Sequence, residues 1–173
     1  MKHVYGKDAE FEKLTSTLGK IRLQYHLTDK AWLLPPNMRA IARFMNLQEW
    51  VERASKMLDC YNSLEETMKE AYAFLLPYRK LVEEINVCVD AIRQVEDICK
   101  HEGFGKRTYA LCKDYIIRNV IGNANSRRAR LGMEMIKYFD RQCELLKDDK
   151  VVHQISSDSI ESDFDIYKAK KAT

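Results

Sequence analysis

The chain has 173 residues, 46% hydrophobic, 32% charged and 10% aromatic, which is enough for one cored domain and too little for a multidomain enzyme. Six Gly and three Pro beside a full apolar complement argue against a disordered, collagen-like or turn-rich all-β chain and favour helices. The net charge of +3 is too weak a field to draw nucleic acid or a membrane surface by itself, so any such partner must be met by a local patch.

Met1 to Lys7 lacks the apolar core of a secretory signal, and no stretch approaches the roughly 18 apolar residues of a membrane span, which predicts a cytoplasmic protein with no membrane partner. The five cysteines, Cys60, Cys88, Cys99, Cys112 and Cys143, are odd in number and widely spread, as expected of reduced core thiols.

Phe11, Leu14, Leu18, Ile21 and Tyr25 recur at steps of three and four and predict a first amphipathic helix ending near His26. Thr28 to Asn37 reads as an extended connection, because Pro35-Pro36 holds the chain out of the helical region. A second helix starts at Pro36 or Asn37 and carries Ile41, Phe44, Leu47, Val51, Ala54 and Leu58 on one stripe. Ser63 and Glu66 stand at capping-box spacing and predict the start of a third helix that runs to Gly103, split or kinked at Pro77.

Gly103 and Gly105 bracket Phe104 in a turn, after which a fourth helix spans Lys106 to Ile121. Gly122 is the expected C-terminal cap, and Asn123, Asn125 and Ser126 are candidate N-caps for a fifth helix carrying Leu131, Met135, Tyr138, Phe139 and Leu146. Val151-Val152 and Ile155 hint at extended structure, and Ser156 to Lys171 forms a short helix with a basic tail. The expected architecture is all-α: a bundle of about five amphipathic helices over residues 1–150, then a C-terminal segment, 151–173, with one short helix.

Cys99 and His101, with Cys88 and Cys112 near in sequence, match no familiar zinc spacing, and Cys99 sits on an apolar stripe, so core packing is the better reading. No Gly-rich phosphate loop, H-E-x-x-H or nucleophile elbow occurs, and no small-molecule substrate is expected. Lys106 to Arg130, by contrast, holds Lys106, Arg107, Lys113, Arg118, Arg127, Arg128 and Arg130 against one acid, Asp114. Arg127, Arg128 and Arg130 fall at a helix start, where cations oppose the helix dipole and an anion would relieve the cost. Backbone amides there, with Asn123 and Asn125, would complete a phosphate contact, whereas the bland alternative is a solvated face. Asp158, Glu161, Asp163 and Asp165 group four carboxylates within eight residues, which suits a divalent cation or, on spacing alone, a helix cap from Asp158 and Glu161.

The chain resembles the C-terminal part of a DDE-type transposase of bacterial insertion sequences. The resemblance rests on Ala31-Trp32-Leu33-Leu34-Pro35-Pro36 with Arg39 and Arg43-Phe44, on Ile121-Gly122-Asn123-Ala124-Asn125-Ser126-Arg127-Arg128, and on Ser157-Asp158-Ser159-Ile160-Glu161-Ser162-Asp163-Phe164 with Tyr167-Lys168. The last resembles the family's Ile-Glu-Ser-x-Phe-Gly-x-Tyr-Lys segment, with Asp165 in place of the glycine. The resemblance implies that Glu161 is the third catalytic carboxylate and a ligand of Mg²⁺ or Mn²⁺, and that the bundle is the helical insert of a ribonuclease H-like core. It further implies DNA strand cleavage and transfer in the full-length family, and a truncated chain here that lacks the two aspartates, binds no metal alone and is inactive as an enzyme.

DNA is then the expected partner, held through its phosphate backbone by Lys106, Arg107, Arg118, Asn123, Asn125, Arg127, Arg128 and Arg130, and self-association stays open. The alternative is a non-enzymatic helical interaction protein whose basic stretch is solvated surface.

Overall fold

In the computed structural model the periodic segments are helical, and the structure describes residues 1–28, 47–122, 126–146, 148 and 150–153. A single turn, α1 (Lys2–Tyr5), leads into α2 (Ala9–Tyr25), then α3 (Leu47–Asp59), α4 (Glu66–Tyr72), α5 (Arg79–Glu102), α6 (Lys106–Asn119) and α7 (Arg127–Glu144). The fold is all-α, with α2, α3, α5, α6 and α7 as the five main helices. Among the described residues the β-type pairing is one isolated antiparallel bridge between Phe104 and His153.

The helix ends have local causes. Asp8 caps α2, its Oδ1 accepting the Phe11 N–H at 3.0 Å, and Ser126 caps α7 by accepting the Ala129 N–H at 3.0 Å. Proline lacks the amide that an α-helix needs, so Pro77 falls in a 3₁₀ segment, Ala73–Tyr78, that divides α4 from α5. The Ser63–Glu66 capping box does not form. Ser63 lies in a 3₁₀ turn with its hydroxyl donating to the Cys60 carbonyl at 2.8 Å, and α4 begins three residues later without a side-chain cap. The hydroxyl is thereby committed to a backward bond and cannot serve the helix ahead of it.

Gly103 ends α5 at φ 71°, a left-handed conformation that a Cβ would strain, as the Gly-Phe-Gly reading requires. Gly122 does not adopt that conformation, since α6 closes earlier, with both the Val120 and Ile121 amides on the Ile116 carbonyl at 2.9 and 3.0 Å. Buried Thr108 stabilises the start of α6, its hydroxyl accepting the Gly105 N–H at 2.7 Å and donating to the Gly105 carbonyl at 3.0 Å.

Two apolar clusters share α5 and α7. Leu81, Val82, Ile85 and Val89 of α5 and Leu131 of α7 join α1 to α4 in the first, whereas Ala91, Val95 and Cys99 of α5 meet α6 and Phe139 in the second. Burying each large apolar side chain contributes about 1.5–3 kcal/mol, so α5 and α7, which serve both clusters, hold the bundle together. Cys88, Cys99 and Cys112 are buried and Cys60 and Cys143 half-buried, all as free thiols. Among the described residues no helix is long and apolar enough to cross a membrane.

The expected connection after Thr28, the start of the second helix at Pro36 or Asn37, and Ile41 and Phe44 lie outside the described residues, as does the helix expected over Ser156 to Lys171. Val151 to His153, assigned from sequence to the C-terminal segment, reach back to the bundle. Phe104 donates to the His153 carbonyl at 2.6 Å and accepts from the His153 amide at 2.8 Å.

Candidate nucleic-acid interface

The cations of the basic stretch lie on α6 and on the first turn of α7. Arg127 is the first residue of α7, and its guanidinium meets three carboxylates: Asp8 at 2.7 Å through Nε, Glu10 at 2.6 Å through Nη2 and Glu84 at 3.1 Å through Nη1. Glu84 reaches further, its second oxygen accepting the Arg128 backbone amide at 3.0 Å. An anion at the α7 N-terminus is therefore supplied from within, by a side chain of α5.

Two of these carboxylates, Asp8 and Glu84, serve the fold as well as the arginine. Asp8 caps α2 with one oxygen and binds Arg127 with the other. Burial opposes ionisation of Asp8, but the hydrogen bonds from Arg127 and the Phe11 amide outweigh it and hold its carboxyl below the ordinary value. Arg127 is shifted upward, first by the Asp8 hydrogen bond, and stays charged at every accessible pH. Arg128 turns back, Nε donating to the Val120 carbonyl at 3.0 Å, which ties the end of α6 to the start of α7.

Lys113 is likewise engaged, donating to Tyr109 Oη at 2.8 Å and to Asp140 Oδ1 at 2.9 Å, while Tyr109 donates to the same Asp140 oxygen at 2.6 Å. Hydrogen bonds from Tyr109 and Lys113 lower the Asp140 carboxyl, and those to Tyr109 and Asp140 raise the lysine. This cluster joins α6 to α7.

The remaining cations face water. Arg107 is 85% exposed, with Nε 3.8 Å from Glu102, and Arg118 is 73% exposed, with Nε 2.8 Å from Asp114 one turn back. An exposed pair of this kind contributes about 0.3–0.5 kcal/mol and is readily exchanged for another anion. Lys106 and Arg130 are exposed too. Arg130 borders an open cleft of about 770 Å³ that Asp8, Lys80, Glu83, Glu84, Arg127 and Arg128 also line, so the cleft is mixed in charge.

The sequence therefore names two kinds of residue under one heading. Arg127 and Arg128 are turned into the molecule, whereas Lys106, Arg107, Arg118 and Arg130 are on its surface. Asn123, Asn125 and Glu161 lie outside the described residues. Asp8, Glu10 and Glu84 were missed by sequence reasoning; Asp8 precedes the first apolar stripe as an N-cap does, but nothing in the sequence pairs it with a residue 119 positions later. Cys99 meets Cys112 and not His101, which is exposed, and among the described residues no three His, Cys, Asp or Glu side chains converge as a metal site. In comparisons with family models, curated proteins and solved structures, the chain has no match.

Proposed function

We propose that the chain is a transposase-related helical module that contacts duplex DNA through its phosphates and does not itself carry out strand cleavage or transfer. The observation that supports this most is the exposed set of cations. Arg107 and Arg118 stand 85% and 73% exposed on α6, and Arg130 is exposed on the first turn of α7. Of the motifs that resemble those of the transposase family, Ile121 to Arg128 lies between Arg118 and Arg130, and the other two precede and follow this region. Glu161 is the position that would ligate Mg²⁺ or Mn²⁺ in the full-length family; one carboxylate offers at most two of the roughly six oxygens that Mg²⁺ takes, so Glu161 by itself does not make a metal site.

Titration of duplex DNA at several salt concentrations tests the reading. Each phosphate contact adds about 0.9 to the slope of log affinity against log salt, so replacing Arg107, Arg118 and Arg130 together by Gln lowers the slope by about 2.7 where each meets one phosphate. An unchanged affinity and slope overturns it.

A second reading, a non-enzymatic helical interaction protein, is favoured by the internal pairing of Lys113, Arg127 and Arg128 and by Leu111 and Ile117, 42% and 49% exposed between the α6 charges. Absence of DNA binding at low salt selects it.

A further inference from the structure

Cys99 lies near the end of α5 and Cys112 in α6, with the Gly103-Phe104-Gly105 turn between them. Their sulfurs are 3.7 Å apart, and the two residues are 5% and 0% exposed. Cys88 sits in the other apolar cluster beside Tyr5 Oη at 3.4 Å, and Cys60 donates to the Lys56 carbonyl at 3.0 Å. Cys99 and Cys112 are thus set against each other by two helices already packed together.

We propose that Cys99 and Cys112 are a dithiol pair that closes into an intrachain disulfide across the α5–α6 hairpin when the protein meets a hydroperoxide. The bond length is about 2.05 Å, and closing the gap asks for side-chain rotation and a small adjustment of the helix ends. Cys99, the less enclosed of the two residues, attacks one peroxide oxygen as the thiolate. The O–O bond breaks, the thiol proton goes to the departing oxygen as water or alcohol, and Cys99 is left as a sulfenic acid. The Cys112 sulfur then attacks the Cys99 sulfur; the S–O bond breaks, and water leaves with the Cys112 proton. Two thiols lose two electrons and two protons, and the hydroperoxide is reduced to water plus water or an alcohol.

Burial pushes Cys112 up to about 12, with Cys99 beside it adding to the rise, and burial raises Cys99 too, so the thiolate is scarce and the reaction slow at neutral pH. The hairpin turn carries the result outward. Phe104 stacks on Phe139 of α7 with ring centroids 5.7 Å apart and bridges to His153, so a cross-link at the base of this turn braces α7 and Val151 to His153. The inference is independent of the DNA reading.

The test treats the folded, reduced full-length chain with tert-butyl hydroperoxide, then unfolds it in denaturant containing iodoacetamide to block every remaining thiol, and maps the peptides. A Cys99–Cys112 linked peptide is expected, with the other three of the five thiols alkylated, a melting temperature several degrees higher and full reversal by dithiothreitol. Five alkylated thiols, a link to Cys143, a cross-link between chains, or sulfinic acid without a disulfide each overturns the proposal. Cys99→Ser and Cys112→Ser should each abolish the linked peptide; the wild-type map decides the matter even where a variant fails to fold.

Discussion

Arg127→Met keeps much of the aliphatic stem of the side chain and removes its charge, leaving Asp8, Glu10 and Glu84 to face one another without their shared counter-ion. Asp8 and Glu84 are sheltered, with side chains 15% and 19% exposed, and carry most of the loss. A charge-assisted hydrogen bond contributes about 1.5–3 kcal/mol, and the lower end applies to each here because the cluster borders an open cleft. Glu10, at 43% exposure, adds no more than about 0.5 kcal/mol after screening. Removing a cation from the first turn of α7 returns about 0.3–1 kcal/mol of dipole repulsion.

The expected net loss is about 2–3 kcal/mol in urea denaturation, or about 5–10 °C in melting temperature for a chain of this size. A double-mutant cycle with Asp8→Asn, in which Asn retains a capping oxygen for α2, should give a coupling of about 1–2 kcal/mol. A loss below about 0.5 kcal/mol, or no coupling, would show that Arg127 is solvated surface and refute the reasoning. On the DNA reading proposed above, the same variant should leave the salt slope of binding unchanged, because the Arg127 guanidinium is committed internally.

Acid should act through the same cluster. The Asp8 carboxyl is depressed in the folded state, so its stabilisation is complete above the unfolded value of about 3.9 and is lost as pH falls through the folded value; Asp8→Asn should flatten the pH dependence of stability below about pH 4. Trp50 is 1% exposed and its Nε1–H has no acceptor among the described residues, so Trp50→Phe removes an unsatisfied donor while shrinking the side chain and should change stability by less than about 1 kcal/mol, against about 3–5 kcal/mol for Trp50→Ala. A loss with Phe equal to that with Ala would mean that the indole nitrogen is satisfied. At Gly132 a methyl would meet Ile121 at 2.6 Å, Val120 at 3.2 Å and Ile116 at 3.3 Å, so Gly132→Ala should destabilise by about 1–2 kcal/mol despite alanine's better helix propensity; a gain in melting temperature would contradict the close α6–α7 approach.

The helices were legible because each main helix places apolar residues on one face, and that period is a property of a short window. Phe11, Leu14 and Leu18 are buried in α2, and Val51, Ala54 and Leu58 in α3, as their spacing requires. Pro77 and Ser126 were legible for the same reason, since each acts on amides within a turn of itself. The capping box at Ser63 failed because the hydroxyl had a competing carbonyl three residues behind it, at Cys60, and spacing carries no information about which partner wins. The fate of Arg127 was not legible at all. Its partners come from α2 and α5, and only the packed bundle brings Asp8 and Glu84 to the start of α7. A count of positive residues along the chain therefore measures available charge; exposure and partners decide how much of it a polyanion can meet.

That distinction limits how the DNA reading can be mapped, because α7 is both a carrier of basic residues and the helix on which both clusters close. Leu131 belongs to the first cluster and Phe139 to the second, Leu146 follows just beyond the helix, and Arg127 adds the links to α2 and α5. Losing three large buried side chains removes about 4.5–9 kcal/mol, and the ion cluster about 2–3 kcal/mol more, against a total stability of about 5–15 kcal/mol for a domain of ordinary size. A chain ending at Ile121 should therefore keep far-UV helical signal while losing a cooperative thermal transition and exposing apolar surface to a hydrophobic dye. Any loss of the proposed DNA binding would then come through collapse of the bundle, so the deletion cannot assign contacts to Arg130. Point substitutions on the water-facing side of α6 can, because among the described residues Arg107 and Arg118 pair with Glu102 and Asp114 near the helix surface. A cooperative transition in the shortened chain would show that α7 is an appendage, and the internal commitment of Arg127 would then no longer explain its place in the fold.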